Sequence, residues 1–198
     1  MKLLWAPAAL VCVLVTGVFA AACGTAPTDI GFTAAMYSSR EYGFTIQYPS
    51  GFTKVEVPRD AKDPGAPLLT VFFADPQGTQ VAGKSVDAME VAVYKMNAAP
   101  TDADLATHKK DFEAMLVELV GKLPGLKVAR PPAWITVDGR PAVTETYTYK
   151  VSGQDVAASV QLAFKGAQAY LVRAQAARAV WLTTGRELVS SMATFRFL

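Results

Sequence analysis

Residues 127–176 read KVARPPAWITVDGRPAVTETYTYKVSGQDVAASVQLAFKGAQAYLVRAQA, and their punctuation decides the fold. Asp138-Gly139 separates 128–137 from 141–151, Ser152-Gly153 leads to 156–164, and Lys165-Gly166 leads to 169–176. Steps of this kind supply the backbone freedom that short hairpin loops need, and the runs between them have strand length. The stretch is therefore expected to be a meander of four antiparallel strands. In the third, Val156, Ala158, Val160, Leu162 and Phe164 place every second side chain on one apolar face. The alternate positions, Ala157, Ser159, Gln161 and Ala163, are small or polar, as expected of a sheet covered mainly on one side.

Upstream of the meander, Thr101 opens a helix with Asp104 as its capping-box partner. Leu105, Phe112, Met115, Leu116, Leu119 and Leu123 recur at helical spacing, and Pro124-Gly125 stops the run. One helix over 102–123 is expected, its stripe packed on the face that carries Val156, Val160 and Leu162. Further back, Phe44, Ile46 and Tyr48 alternate with Thr45 and Gln47, and Pro49-Ser50-Gly51 joins this strand tightly to a second at 52–57. A loop at 58–67 precedes strands at 68–74 and 88–96. Downstream, a helix over 178–192 carries Val180, Trp181, Leu188, Val189 and Met192, and Phe195-x-Phe197-Leu198 closes the chain. The fold class is α+β: an antiparallel β-sheet, a meander in its C-terminal half, with helices packed on it.

The first 22 residues read as targeting. Lys2 gives a minimal positive segment, an apolar run follows, and Ala20-Ala21-Ala22 precedes Cys23. Cys12 lies inside that run, so cleavage leaves Cys23 as the lone thiol, and an odd cysteine in an exported protein requires a reason. The junction resembles a bacterial lipobox, with Ala20 where Leu is usual. The resemblance implies a signal peptide over 1–22 and a diacylglyceryl-cysteine at 23 that anchors the chain to a membrane. Residues 23–39 then form the lipidated cysteine and a flexible tether, with one domain over 40–198. Ala20-x-Ala22 also suits ordinary signal peptidase, which would give a secreted protein, and an uncleaved anchor is the third option.

Residues 42–52, YGFTIQYPSGF, together with Val137-Asp138-Gly139-Arg140-Pro141-Ala142 and the Phe195-Arg196-Phe197 ending, resemble PsbP-like domains. That family includes extrinsic photosystem II subunits, DcrB-type bacterial proteins and LpqN-type lipoproteins. The resemblance spans about residues 40–198 and implies an antiparallel sheet with helices packed on it. Binding or accessory roles prevail over enzymes in the family, and no catalytic set travels with these motifs.

The formal charge is +2, and removal of Lys2 lowers it to +1. No Lys/Arg cluster of the kind that binds nucleic acid stands out. His108 is the lone histidine, flanked one turn away by Asp104 and Asp111, so a local ion pair is expected there rather than a metal site or a general base. Ser50 is a turn serine. Glu145 interrupts the apolar alternation of Val143, Tyr147, Tyr149 and Val151, which makes it a buried carboxylate in need of a partner, and Arg173 is the candidate. Trp134, Glu145, Tyr147, Tyr149, Tyr170 and Arg173 form the candidate ligand pocket.

These readings imply neither cofactor nor metal. The leading functional expectation is a lipid-anchored, non-enzymatic envelope module that docks on another envelope protein, on the outside of the cytoplasmic membrane or on an outer membrane. The alternatives are a carrier or sensor of an apolar small molecule and, behind it, an atypical hydrolase.

Overall fold

Asp138 and Ser152 hold φ of 49° and 45°, and the glycines after them hold 76° and 87°. Two consecutive left-handed residues turn the chain in the sense that matches the twist of the flanking strands. The hairpins of the meander follow. The computed structural model, which describes residues 33–120 and 123–198, places β8 at Lys127–Val137, β9 at Arg140–Val151, β10 at Gln154–Lys165 and β11 at Gln168–Ala177. β11 pairs next with β7, Ala88–Lys95, then β4, Leu69–Ala74, and β3, Thr53–Pro58, giving one antiparallel seven-stranded sheet ordered β3-β4-β7-β11-β10-β9-β8. A hairpin of β5, Gln80–Val81, and β6, Lys84–Ser85, stands apart.

The helical stripe packs where its spacing predicts. Leu105, Phe112, Leu116 and Val120 bury against Val143, Tyr147, Val160, Leu162 and Phe164, with the Phe112 and Phe164 rings 4.9 Å apart. The single helix is in fact two, α1 at Asp102–Thr107 and α2 at Lys109–Val120. Thr101 and Asp104 cap α1 reciprocally, and His108, at φ −105° and ψ 31°, leaves helical geometry and breaks the run.

One expectation about the sheet is corrected. Its second face is covered as thoroughly as the first, so Ala157, Ser159, Gln161 and Ala163 are all buried. The cover is a three-stranded sheet, β1-β2-β12, together with α3, Arg186–Met192. β1, Ala34–Ser39, pairs with β2, Phe44–Pro49, in register from Ala34 opposite Pro49 to Ser39 opposite Phe44. Residues 34–39, expected to belong to the tether, are therefore a strand. β2 and β3 flank the Pro49 turn but belong to different sheets, so that turn carries the chain from the cover to the main sheet. β12, Arg196–Phe197, closes on β2, and Phe195 stacks on Phe44 at 5.5 Å.

The expected helix over 178–192 is also irregular at its start. A 3-10 turn at Arg178–Val180 and a π turn at Trp181–Gly185 precede α3. Gly185 permits the close approach of the Trp181 ring, since a Cβ there would lie 2.7 Å from its Cε3 atom.

Leu162→Ala and Phe112→Ala should each cost about 2–5 kcal/mol, read from chemical denaturation midpoints. Gln161 donates to the Met192 carbonyl at 3.4 Å, so Gln161→Ala should cost about 1 kcal/mol, while exposed Lys110→Ala should cost nothing measurable. Equal midpoints for Leu162→Ala and Lys110→Ala would contradict this packing.

Candidate functional site

Strand parity sorts the six pocket candidates. Glu145, Tyr147 and Tyr149 share one parity on β9 and lie opposite Val160, Ala158 and Val156 of β10. Val160 in turn lies opposite Arg173 of β11, and Ala158 opposite Gln175. These side chains therefore share the face beneath α1 and α2, and Trp134, opposite Val143, joins them at its margin. Tyr170 does not. It packs on the other face with Phe44 and Phe195, and its hydroxyl donates to the Tyr42 carbonyl at 2.9 Å.

The expected Glu145–Arg173 pair is replaced by another. Arg173 forms its ion pair with Glu90 of β7, directly across the ladder, with side-chain exposures of 19% and 11%. Burial works to lower the Arg173 pKa, but Glu90, with Tyr147 and Tyr149, outweighs it and raises the value. Glu90 was hidden by the uniformly apolar strand around it. Its sequence signal is a lone carboxylate between Met89 and Val91.

Glu145 is 2% exposed and its Oε2 accepts no hydrogen bond. Burial raises its pKa above the ordinary carboxylate value. Arg173 Nε and Gln175 Nε2 also lack hydrogen-bond partners, whereas the Tyr147 hydroxyl lies against the Arg173 guanidinium and the Tyr149 hydroxyl donates to Gln175 Oε1. Burial also raises Tyr94, Tyr147 and Tyr149, so these phenols remain protonated donors at neutral pH. Chemically, the row offers phenol and guanidinium donors and one carboxyl. That equipment orients a polar group or ordered water.

Trp134 anchors the helices, its indole N–H donating to Glu113 of α2 at 2.8 Å. It also lines a 460 Å³ hollow with Leu105, Ala106, Lys109 and Pro141. His108 pairs with Asp111 at 3.3 Å on the exposed surface, as its spacing predicts, and Ser50 lies in the turn after β2. Cys23 lies outside the described residues. A larger hollow of 710 Å³, which the sequence reading missed, opens at the end of the main sheet between the β1–β2 and β10–β11 turns.

No family model matches the chain, and no curated protein matches it. Among solved structures it is similar to the solution structure of cyanobacterial PsbP (CyanoP) from Synechocystis sp. PCC 6803. The TM-score is 0.56 at 17% identity, over 89% of this chain and 98% of that one. The fold is PsbP-like. LpqN, involved in cell envelope biogenesis of Mycobacterium tuberculosis, aligns with a TM-score of 0.48 at 12% identity, over 83% of this chain and 90% of that one. In this PsbP-like chain the helices seal the face that bears the polar row, and among the described residues no helix is long and apolar enough to cross a membrane.

Glu90→Gln should leave Arg173 charged and unpaired, at a cost of about 3 kcal/mol in unfolding free energy. A loss below about 0.5 kcal/mol would show that solvent already screens the pair. For Glu145 the folded pKa lies above the unfolded value of about 4.3, so its stabilising contribution is complete at lower pH and is lost as pH rises through the folded value. Glu145→Gln should therefore gain on the wild type between about pH 4 and pH 8. Denaturation midpoints that differ by the same amount at both ends would contradict this.

Proposed function

We propose that the protein is a lipid-anchored, non-enzymatic module of the bacterial cell envelope that docks on or assists another envelope protein. Cys23, left as the lone thiol behind an apolar leader and three alanines, carries the anchoring half of this reading. Two acyl chains hold a protein on a membrane stably, so the domain has no need of contacts of its own with the bilayer. Residues 24–33 separate the cysteine from β1, which limits the start of the domain to roughly 35 Å from the anchor. The PsbP-like fold supports the docking half. The central strands of the main sheet are covered on both faces, which leaves the outer surface and the hollow at the sheet end for recognition.

A second reading, a carrier or sensor of a small envelope molecule, draws on the unmade hydrogen bonds of Glu145 Oε2 and Gln175 Nε2 beneath the helix pair. A mass excess that survives native ionisation and disappears on denaturation, beyond that of the acylated chain, would favour it over docking.

Cys23→Ser should abolish incorporation of labelled palmitate and release the protein from membranes. Retained label in that variant would defeat the anchoring reading. Co-isolation of one envelope protein after crosslinking in intact cells would support docking, and repeated recovery of the chain alone would count against it.

A further inference from the structure

The hollow at the end of the main sheet has a distinctive charge. Arg40 enters it from the β1–β2 turn, Lys95 from the end of β7, Arg140 from the start of β9 and Lys165 from the end of β10. Four cations from four elements thus line one 710 Å³ groove, against a single acidic lining residue, Glu41. Among the described residues, Arg40, Lys95 and Arg140 form no ion pair, while Lys165 is engaged by an oxygen of Leu198. Nearby charges are already engaged: Arg196 lies 3.8 Å from Asp138, and that carboxylate also accepts the Phe197 amide at 2.8 Å. Like charges gathered this way repel one another, and an anionic ligand would relieve the repulsion.

The groove is also held in shape before anything binds. Tyr170, 1% exposed, ties its hydroxyl to the Tyr42 carbonyl, and the Tyr42 hydroxyl reaches the Leu68 carbonyl at 3.3 Å. Arg140 and Lys165 flank the same Phe197 ring, at 5.8 and 5.6 Å from its centre. Lys165 also donates to the Leu198 carbonyl oxygen. Both heads are therefore positioned against a fixed wall, which lowers the ordering cost of binding.

We propose that this groove is a recognition site for an acidic polypeptide segment, bound through Arg40, Lys95, Arg140 and Lys165 along a wall of Tyr42, Leu68 and Gly166. β1 runs from Ala34 to Ser39, so Arg40 stands at its far end from the residues that lead back to Cys23. On the proposed anchoring, residues 24–33 and the whole of β1 separate Arg40 from Cys23. Charge complementarity of this kind gives specificity and fast association that salt weakens.

The test uses the full acylated chain in neutral detergent and a fluorescent octapeptide of alternating Glu and Gly, with the Gln/Gly peptide as control. The Glu peptide should bind at least tenfold more tightly than the Gln peptide at low salt and lose that advantage at about 0.5 M NaCl. Arg40→Gln, Lys95→Gln and Arg140→Gln should each weaken binding several-fold with unchanged denaturation midpoints, and Glu41→Gln should tighten it. Equal binding of the two peptides, or no response to these substitutions, would overturn the proposal. Pyrophosphate or phosphatidylglycerol vesicles that displace the peptide at lower concentrations than unlabelled peptide does would overturn it in favour of a phosphate or lipid-surface site. The Cys23→Ser chain should bind the Glu peptide as the acylated chain does, so a failed anchor and a failed groove give different results.

Discussion

β10 and β11 lie inside the seven-stranded sheet with both of their faces withdrawn from water. Every position of β10 from Val156 to Phe164 is buried, as is every position of β11 from Ala169 to Ala177 except Arg173. A strand of this kind needs apolar cover on two sides, and the rest of the chain supplies it. α1 and α2 lay Leu105, Phe112, Leu116 and Val120 over one face. The small sheet and α3 lay Phe44, Ile46, Leu188, Met192 and Phe195 over the other. Two-sided burial also explains the chain's ends: β1 and β12 come from opposite termini of the domain and meet on β2, closing the second layer.

The same constraint gives the polar residues their meaning. Arg173 occupies a central strand and cannot reach bulk water freely, so a carboxylate must stand beside it, and the β7 register places Glu90 there. Glu145 stands on the far side of Val160 without such a cation and is driven toward its neutral form. Asp87, 2% exposed, shows how a buried acid is satisfied without a cation: its two oxygens accept the Ala177 and Thr79 amides at 2.8 and 2.7 Å. Set beside Asp87, Glu145 Oε2 and Gln175 Nε2 are conspicuous for hydrogen bonds that are left unmade.

Much of this was legible from residue type and spacing. Asp-Gly and Ser-Gly place their hairpins because few other pairs accept two left-handed residues in succession, and the α1 capping box follows from Thr101 and Asp104 three residues apart. Strand parity also carried more than was drawn from it. Tyr170 and Arg173 differ by three positions on one strand, so they face opposite ways, and strand parity alone excludes a pocket holding both. Other features were illegible for physical reasons. β1 is Ala-Ala-Met-Tyr-Ser-Ser, with no β-branched residue, and becomes a strand through pairing with β2 and not through propensity. The buried status of Ser159 and Gln161 depends on a layer assembled from both ends of the domain, which no local pattern announces. The basic groove is likewise a product of topology: Arg40, Lys95, Arg140 and Lys165 are scattered along the chain and meet only because four element ends converge.

Two-sided burial of the central strands is the claim on which the fold, the Glu90–Arg173 pair and the position of the groove all rest. Residue-resolved amide hydrogen exchange tests it most directly. The amides of Val156 through Leu162 should exchange only through global unfolding, with a free energy equal to that from denaturant titration, while the edge strand β3 exchanges by local opening. Exchange of the β10 amides as fast as those of β3 would show that the second layer does not seal the sheet, and the account would fall with it.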